Sequence, residues 1–231
     1  MYFHALIPFK PVNPPKTRLS CILDQEEREA FARAMLEDVI AAVQKSGCSA
    51  TLLCTHPPFK HENALVAVRT ESLNDAINWA LKQFHCPALI IMADIPLVTA
   101  GGDIQRLIRT EKDMSIVPGG RGGGGTNIIF LKKPRCFRAD YYGASFLDHM
   151  RIAEECGFSV EVIDSFRMST DIDEKEDLVE ILIHGKGRKS REFLENSGFS
   201  IALDEKGRVG VQRDPPMKRH SEASIVATPP A

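Results

Sequence analysis

Five apolar residues in succession, Ala88-Leu89-Ile90-Ile91-Met92, stand out in an otherwise mixed sequence. The run is too short for a helix of its own, and in a strand its side chains point alternately to two faces. Both faces must therefore be covered, which is the condition of a central strand in a sheet with helices on each side. The flanks supply such a sheet. Residues 3–7, 51–54, 65–68, 114–117, 126–131 and 158–163 read as further strands. Between them, Asp24 and Glu27 have the spacing of a capping box, followed by Phe31, Met35, Val39 and Val43 at helical intervals and a stop at Gly47. More helices are expected over 73–84, 103–110 and 174–184, and one opened by a capping box of Ser145 and Asp148 and closed at Gly157. This alternation predicts an α/β fold with a mostly parallel, doubly wound sheet.

The pattern changes after Gly185. Residues 186–198 read as a basic helix, and 199–203 with 209–211 as a hairpin turning at Asp204 to Gly207. Residues 214–231 hold four prolines and no periodicity, as in a tail. The expected division is a main domain over 1–185, a small helix-and-hairpin appendage over 186–213, and the tail. The appendage is too small to bury Phe193, Leu194, Phe199, Ile201, Leu203, Val209 and Val211 by itself. The alternatives are packing back on its own domain or against a second copy, and a homodimer through this appendage is the expectation.

Charge narrows the partners. With 29 Lys and Arg against 31 Asp and Glu, the formal net charge is −2. Neither nucleic acid nor an anionic membrane suits that balance, so any basic patch is local and sized for a small anion. The six cysteines form no C-x-x-C pair, which reads as a reduced, cytoplasmic protein. Residues 1–8 are apolar but lack the length and the basic start of a signal peptide, and no apolar run is as long as a membrane span.

In an open α/β sheet ligands bind beyond the carboxyl ends of the strands. After the first strand, residues 8–19 form a proline-stiffened loop with Lys10, Lys16 and Arg18 and no acid; it suits a polyphosphate, or is simply a solvated basic loop. Asp94 follows the central strand, either as a ligand of a divalent metal or as the cap of the next turn. Asp171 and Asp173 share a face in an extended segment, which suggests a cation site, although Asp173 could equally N-cap a helix starting at Glu174. Residues 119–125 contain six glycines around Arg121, a loop that either admits an anion to backbone amides or is a plain turn. It is not a P-loop, because no Lys-Ser/Thr follows it. Ser145 either receives an anion at a helix N-terminus or only caps that helix. The seven histidines show no metal spacing, and no hydrolase motif occurs.

The order of these segments is more specific than any one of them. Ile7-Pro8-Phe9-Lys10 through Lys16-Thr17-Arg18-Leu19-Ser20, Ser72-Leu73-Asn74-Asp75-Ala76, Ala93-Asp94-Ile95-Pro96-Leu97, Gly124-Gly125-Thr126-Asn127, Ser145-Phe146 and Asp171-Ile172-Asp173-Glu174 resemble the 2-phospho-L-lactate guanylyltransferase family of deazaflavin coenzyme biosynthesis, over about residues 1–184. The resemblance implies a glycosyltransferase-A-like nucleotidyltransferase fold and transfer of GMP from GTP, with Mg²⁺, to the phosphate of 2-phospho-L-lactate. Phosphoenolpyruvate or another small phosphorylated hydroxy or enol acid is the alternative acceptor, and a non-catalytic nucleotide-binding module the alternative role. By position it implies that Lys10, Lys16 and Arg18 hold the triphosphate and, with Asp94, form the catalytic set. Asp94, Asp171 and Asp173 would hold the metal, converging on one cation-sized space. Asn74 would lie near the nucleoside, and Thr126 and Ser145 would meet the phosphorylated acid, with Arg121, Gly125, Asn127 and Gly143 completing the substrate set. A phosphomonoester is already largely ionised at neutral pH, since its second pKa is about 6, so the reaction needs alignment and charge neutralisation more than a base. Guanine offers donors at N1 and N2, and selecting it over adenine needs acceptors, expected near residues 71–75.

Overall fold

The computed structural model describes residues 2–10, 16–54, 60–120, 124–203 and 205–214. Within them the strands are β1 (His4–Phe9), β2 (Ser49–Cys54), β3 (Leu65–Val68), β4 (Ala88–Ile91), β5 (Met114–Pro118), β6 (Thr126–Leu131) and β7 (Val160–Val162). They form one sheet in the order β3-β2-β1-β4-β6-β5-β7. All neighbours are parallel except β6, which is antiparallel to both β4 and β5. The connection between β5 and β6 explains that exception. It is residues 119–125, too short for the crossover that a parallel pair requires.

β4 behaves as its composition demands. Leu89 and Ile91 join the cluster on one face of the sheet with Ala5, Ile7, Leu36, Val39, Val43 and Phe130. Ala88 and Ile90 join the cluster on the other face with Leu6, Ile77, Ala80, Ile129 and Ile152. The first face is covered by helix α1 (Gln25–Lys45) and the short α3 (Gln105–Ile108). The second is covered by α2 (Leu73–Gln83) and α4 (Ser145–Glu155). α1 starts at a true capping box: the Glu27 amide donates to Asp24 Oδ1 at 2.9 Å, and the Asp24 amide donates to Glu27 Oε2 at 3.0 Å. Expected boundaries move elsewhere. The polar helix over 103–110 is a π-turn at Ala100–Ile104 continued by α3, and the helix over 174–184 is a 3₁₀ turn at Lys175–Asp177 leading into α6 (Leu178–His184). A short α5 (Phe166–Ser169) precedes it.

The C-terminal segment packs back on its own domain. Helix α7 (Lys189–Asn196) and strand β8 (Phe199–Leu203), paired antiparallel with β9 (Val209–Arg213), cover a third cluster. Leu194 and Phe199 lie there with Leu19, Leu23, Phe31 and Met35 from the first part of the chain, and with Ile172, Leu178, Ile181 and Leu182. α1 is thus apolar on two sides, one toward the sheet and one toward this segment. The 204–207 turn falls partly outside the described residues, as Asp204 is not among them, and the tail beyond Asp214 lies outside them altogether.

Candidate functional site

Three loops meet where β1 and β4 end. Lys16 sits in the left-handed region, φ 56° and ψ 50°, just before the 3₁₀ turn Thr17–Cys21. From there its ammonium reaches Asp94 Oδ2 at 2.7 Å and Asp173 Oδ1 at 2.5 Å. Asp94 follows β4, and its carbonyl accepts the amide of Ile172 at 3.0 Å, so the 171–173 segment is tied to the end of the central strand. Ile172 is fully buried in the third cluster, which leaves the flanking Asp171 and Asp173 directed to the cleft. The Asp171 carboxylate accepts the Gly120 amide at 3.3 Å. Gly120 has to be glycine for this approach, because a Cβ there would lie 2.4 Å from the Ser169 carbonyl oxygen. Burial raises the Asp171 pKa, and Asp94 and Asp173 raise it further. Burial opposes the charge of Lys16, but the two carboxylates outweigh it and lift its pKa above the ordinary lysine value.

The three expected aspartates therefore come together, with Asp94 and Asp173 closed on the Lys16 ammonium and Asp171 beside them on the Gly120 amide. Among the described residues no group of three or more His, Cys, Asp or Glu side chains is arranged to hold a metal ion as it stands. The donor set still suits one: three carboxylates with hard oxygen donors, against a single ammonium, leave a net charge of −2. Asp173 is not a helix cap. Glu174 caps the 3₁₀ turn in a capping box, in which Asp177 accepts the Glu174 amide at 2.8 Å and also the Asp173 amide at 2.9 Å.

Two cavities open on either side of this triad. One, about 410 Å³, is lined by Arg18, Gly120, Asp171, Asp173 and Glu174 among others; Arg18 lies 3.3 Å from Glu174 Oε1. The other, about 720 Å³, lies beyond β1, β2 and β3, with Lys10, Leu53, Arg69, Glu71, Leu73 and Met92 in its wall. A smaller space of about 200 Å³ between Lys10, Lys16, Met92 and Asp94 joins the large cavity to the triad. The arrangement is a trough along the carboxyl edge of the sheet, with cations and carboxylates at its middle.

Other expected site residues are placed differently. Asn74 is a clamp: its amide donates to Asp140 Oδ1 at 2.7 Å and accepts the Tyr141 amide at 2.8 Å. The chain carries Ser72 at the N-cap of α2, where its hydroxyl accepts the Asp75 amide at 3.2 Å. Thr126 and Ser145 are buried, with Thr126 Oγ1 2.9 Å from His149 Nδ1 and the Ser145 hydroxyl donating to Thr126 at 3.4 Å. That bond corrects the expected capping box at Ser145. α4 begins with Ala144 as its cap and no side-chain capping bond, because the serine hydroxyl is turned inward. Asn127 is also buried, donating to the Met168 carbonyl at 3.1 Å and so holding α5 beside the triad. Gly125 accepts the Gly119 amide at 2.8 Å and closes the glycine loop, and Gly143 turns the chain into α4 with φ 67°. Arg121 lies outside the described residues.

Sequence reasoning missed Arg69 and His149, and it read the 119–125 glycine loop without the bond of the Gly120 amide to Asp171. Arg69 could have been found by the rule that led to Lys10, since it follows β3 directly; Gly120 and His149 act through tertiary contacts that no local pattern marks.

The closely related curated proteins include one of Methanoculleus marisnigri, 92% identical over 96% of this chain and 100% of its own length. Another, of Methanocorpusculum labreanum, is 64% identical over 93% and 98%. Both are named 2-phospho-L-lactate guanylyltransferase. Among solved structures, a protein of Desulfovibrio desulfuricans G20 provisionally named a nucleotide-diphospho-sugar transferase superposes with a TM-score of 0.69 at 14% identity, over 84% of this chain and 94% of that one. A 2-C-methyl-D-erythritol 4-phosphate cytidylyltransferase of Thermus thermophilus gives 0.52 at 14%, over 78% and 97%. Those two likenesses establish the fold, an α/β sheet shared with these two proteins. The family model described as "Guanylyl transferase CofC like" matches residues 3–214, so it takes in the C-terminal helix and hairpin that the sequence motifs left uncovered. By this match and these identities, the chain belongs to the CofC-like guanylyl transferase family.

Proposed function

We propose that the protein transfers GMP from GTP to the phosphate of 2-phospho-L-lactate and releases pyrophosphate, a step in deazaflavin coenzyme assembly. The names of its relatives support this reading, and one observation carries it in the molecule. The Lys16 ammonium is clasped by Asp94 and Asp173 at the junction of two cavities. In this reading the large cavity takes the nucleoside, Lys10 and Lys16 lie along the triphosphate, and the smaller cavity beside Arg18 and Asp171 takes the acceptor. An acceptor phosphate oxygen attacks the α-phosphorus, a new P–O bond forms, and the bond to the pyrophosphate oxygen breaks. No side chain has to remove a proton from a phosphate already ionised. The chain's work is alignment and neutralisation, by which Lys10, Lys16 and Arg18 offset charge on the transferring group.

A divalent cation, Mg²⁺ by the chemistry of the donors, would be held by Asp94, Asp171 and Asp173. When bound it adds charge neutralisation at the phosphates. Thr126, Asn127 and Ser145 support the acceptor side from beneath, as buried groups that fix α4 and α5. The six cysteines are free thiols, which supports a reducing, cytoplasmic setting. Ile201, Leu203 and Val209 stay exposed on the hairpin, which supports a homodimer through that face.

The test is an acceptor screen. GTP and Mg²⁺ are supplied with 2-phospho-L-lactate, phosphoenolpyruvate or 3-phosphoglycerate, and pyrophosphate release is followed. Release that is fastest with phospholactate and absent without acceptor is the expected result. Preference for another acid would reassign the acceptor, and release with none would refute the transfer.

A further inference from the structure

The large cavity carries a feature that phosphoryl transfer does not need. Much of its wall is apolar, with Leu53, Leu73, Ala76 and Met92, yet Arg69 and Glu71 stand in it as a bonded pair. Among the described residues lining that cavity, Glu71 is the one acid. The guanidinium carbon of Arg69 lies over Trp79, 4.3 Å from the ring centre, and Nε donates to Glu71 Oε1 at 2.6 Å. A second guanidinium nitrogen, Nη2, reaches the same oxygen. Both arginine bonds thus fall on Oε1, and the carboxylate also accepts the backbone amide of Glu71 itself, which leaves acceptor lone pairs for a ligand. The neighbouring acid Asp75 is already engaged, accepting the Ser72 hydroxyl at 2.6 Å on the exposed start of α2.

A carboxylate is acceptor-only, and guanine is the purine whose Watson–Crick edge shows two adjacent donors, N1–H and the 2-amino group. Adenine shows a lone pair at N1 there, which would face the carboxylate unpaired. A site built around such a bond rejects an analogue lacking it far more strongly than an apolar wall could. We infer that Glu71 is the residue that selects guanine, with Arg69, braced on Trp79, as the positioning residue that fixes its carboxylate. This rests on the guanylyl-transfer reading for the identity of the nucleotide, and the test separates the two.

Binding is measured by titration calorimetry without acceptor, using GTP, inosine triphosphate, ATP and xanthosine triphosphate, on the intact protein and on Glu71→Gln. Trp79, the chain's single tryptophan, reports the same event by fluorescence through its contact with Arg69. The intact protein should bind GTP about tenfold or more tighter than inosine triphosphate, which lacks the 2-amino donor, and tighter still than ATP. Glu71→Gln should weaken GTP about tenfold or more. It should also shift preference toward xanthosine triphosphate, whose 2-carbonyl can accept the new amide N–H. That gain cannot come from a damaged fold. If Glu71→Gln leaves the GTP-to-xanthosine-triphosphate ratio unchanged, Glu71 is not the selector, whatever the intact enzyme turns over. If guanine-selective binding depends on Glu71 while GTP yields no pyrophosphate with any acceptor, the inference stands and the transfer reading falls.

Discussion

Lys16 is the one non-glycine among the described residues with a positive φ. A left-handed backbone at a lysine costs about 1–2 kcal/mol, and here it aims the ammonium between Asp94 and Asp173. A residue that neutralises this carboxylate group without nucleotide is also suited to meet the phosphates when nucleotide arrives. Lys16→Met should therefore lower the stability of the unliganded protein by about 1–2 kcal/mol, a buried-pair value reduced because both carboxylates are about a third exposed. Millimolar Mn²⁺ should restore the Tm of that variant more than it raises the Tm of the intact protein. Equal shifts would mean that the ammonium and the metal do not compete for one place. Asp94→Asn should cut kcat/KM about a thousandfold with the fold kept, as circular dichroism would check. His149 tests a different part of the molecule. It is fully buried, with Nε2 accepting the Asp140 amide at 3.0 Å, so Nδ1 carries the proton toward Thr126. Burial lowers its pKa to about 4, although Asp140 and Asp148 act the other way. Between pH 6.5 and 4 the unfolded chain then binds the extra proton, so stability falls as pH falls through that window, by roughly 3 kcal/mol in all. Denaturant melts of His149→Gln should lack that part of the pH slope.

Among the elements, those with local signals were legible and those set by tertiary contact were not. β4 was readable because four consecutive residues, all buried, leave a strand no exposed face. α1 was readable from its capping box and stripe. The direction of β6 was overlooked, although the short 119–125 connection carried the signal, since a parallel pair needs a longer crossover. The start of α4 was misread because the Ser145 hydroxyl had an inward partner, Thr126, that lies nineteen residues away. α7 shows the same principle at an energetic cost that can be measured. Its own N-terminus has no side-chain cap. Buried Asp38, on α1, supplies it by accepting the amides of Lys189 at 2.8 Å and Ser190 at 2.9 Å and the Ser190 hydroxyl at 2.6 Å. Asp38→Ala removes a charged acceptor and leaves three donors without it, so a loss of about 2–4 kcal/mol is expected. Hydrogen exchange should show amides of 189–196 losing protection before those of α1. Uniform loss across both helices would mean that Asp38 serves the whole fold and not the cap.

At the scale of the molecule, the C-terminal segment is structural first. Arg213 donates to the Ile22 carbonyl at 2.7 Å and pairs with Glu27, tying the end of β9 to the start of α1. Arg188 donates to the Val98 carbonyl at 2.6 Å, beside the loop that follows Asp94. Truncation after Gly185 would thus strip the cover from Leu19, Phe31, Met35 and Ile172, and Ile172 is the residue that seats Asp171 and Asp173. A truncated protein that aggregates or loses activity would say nothing about assembly, because the site and the core fail together. The question of a second copy needs a change confined to the outer face. Leu203 and Val209 are 68% and 53% exposed and pair across the hairpin, so replacing both with Lys costs little inside the protomer. If the hairpin joins two protomers, the double variant should keep its Tm in dilute solution, keep its guanine selectivity, and halve its mass by light scattering. If the intact protein is a dimer and the variant remains one, the interface lies on another face, and the hairpin serves only to close the core beneath α1.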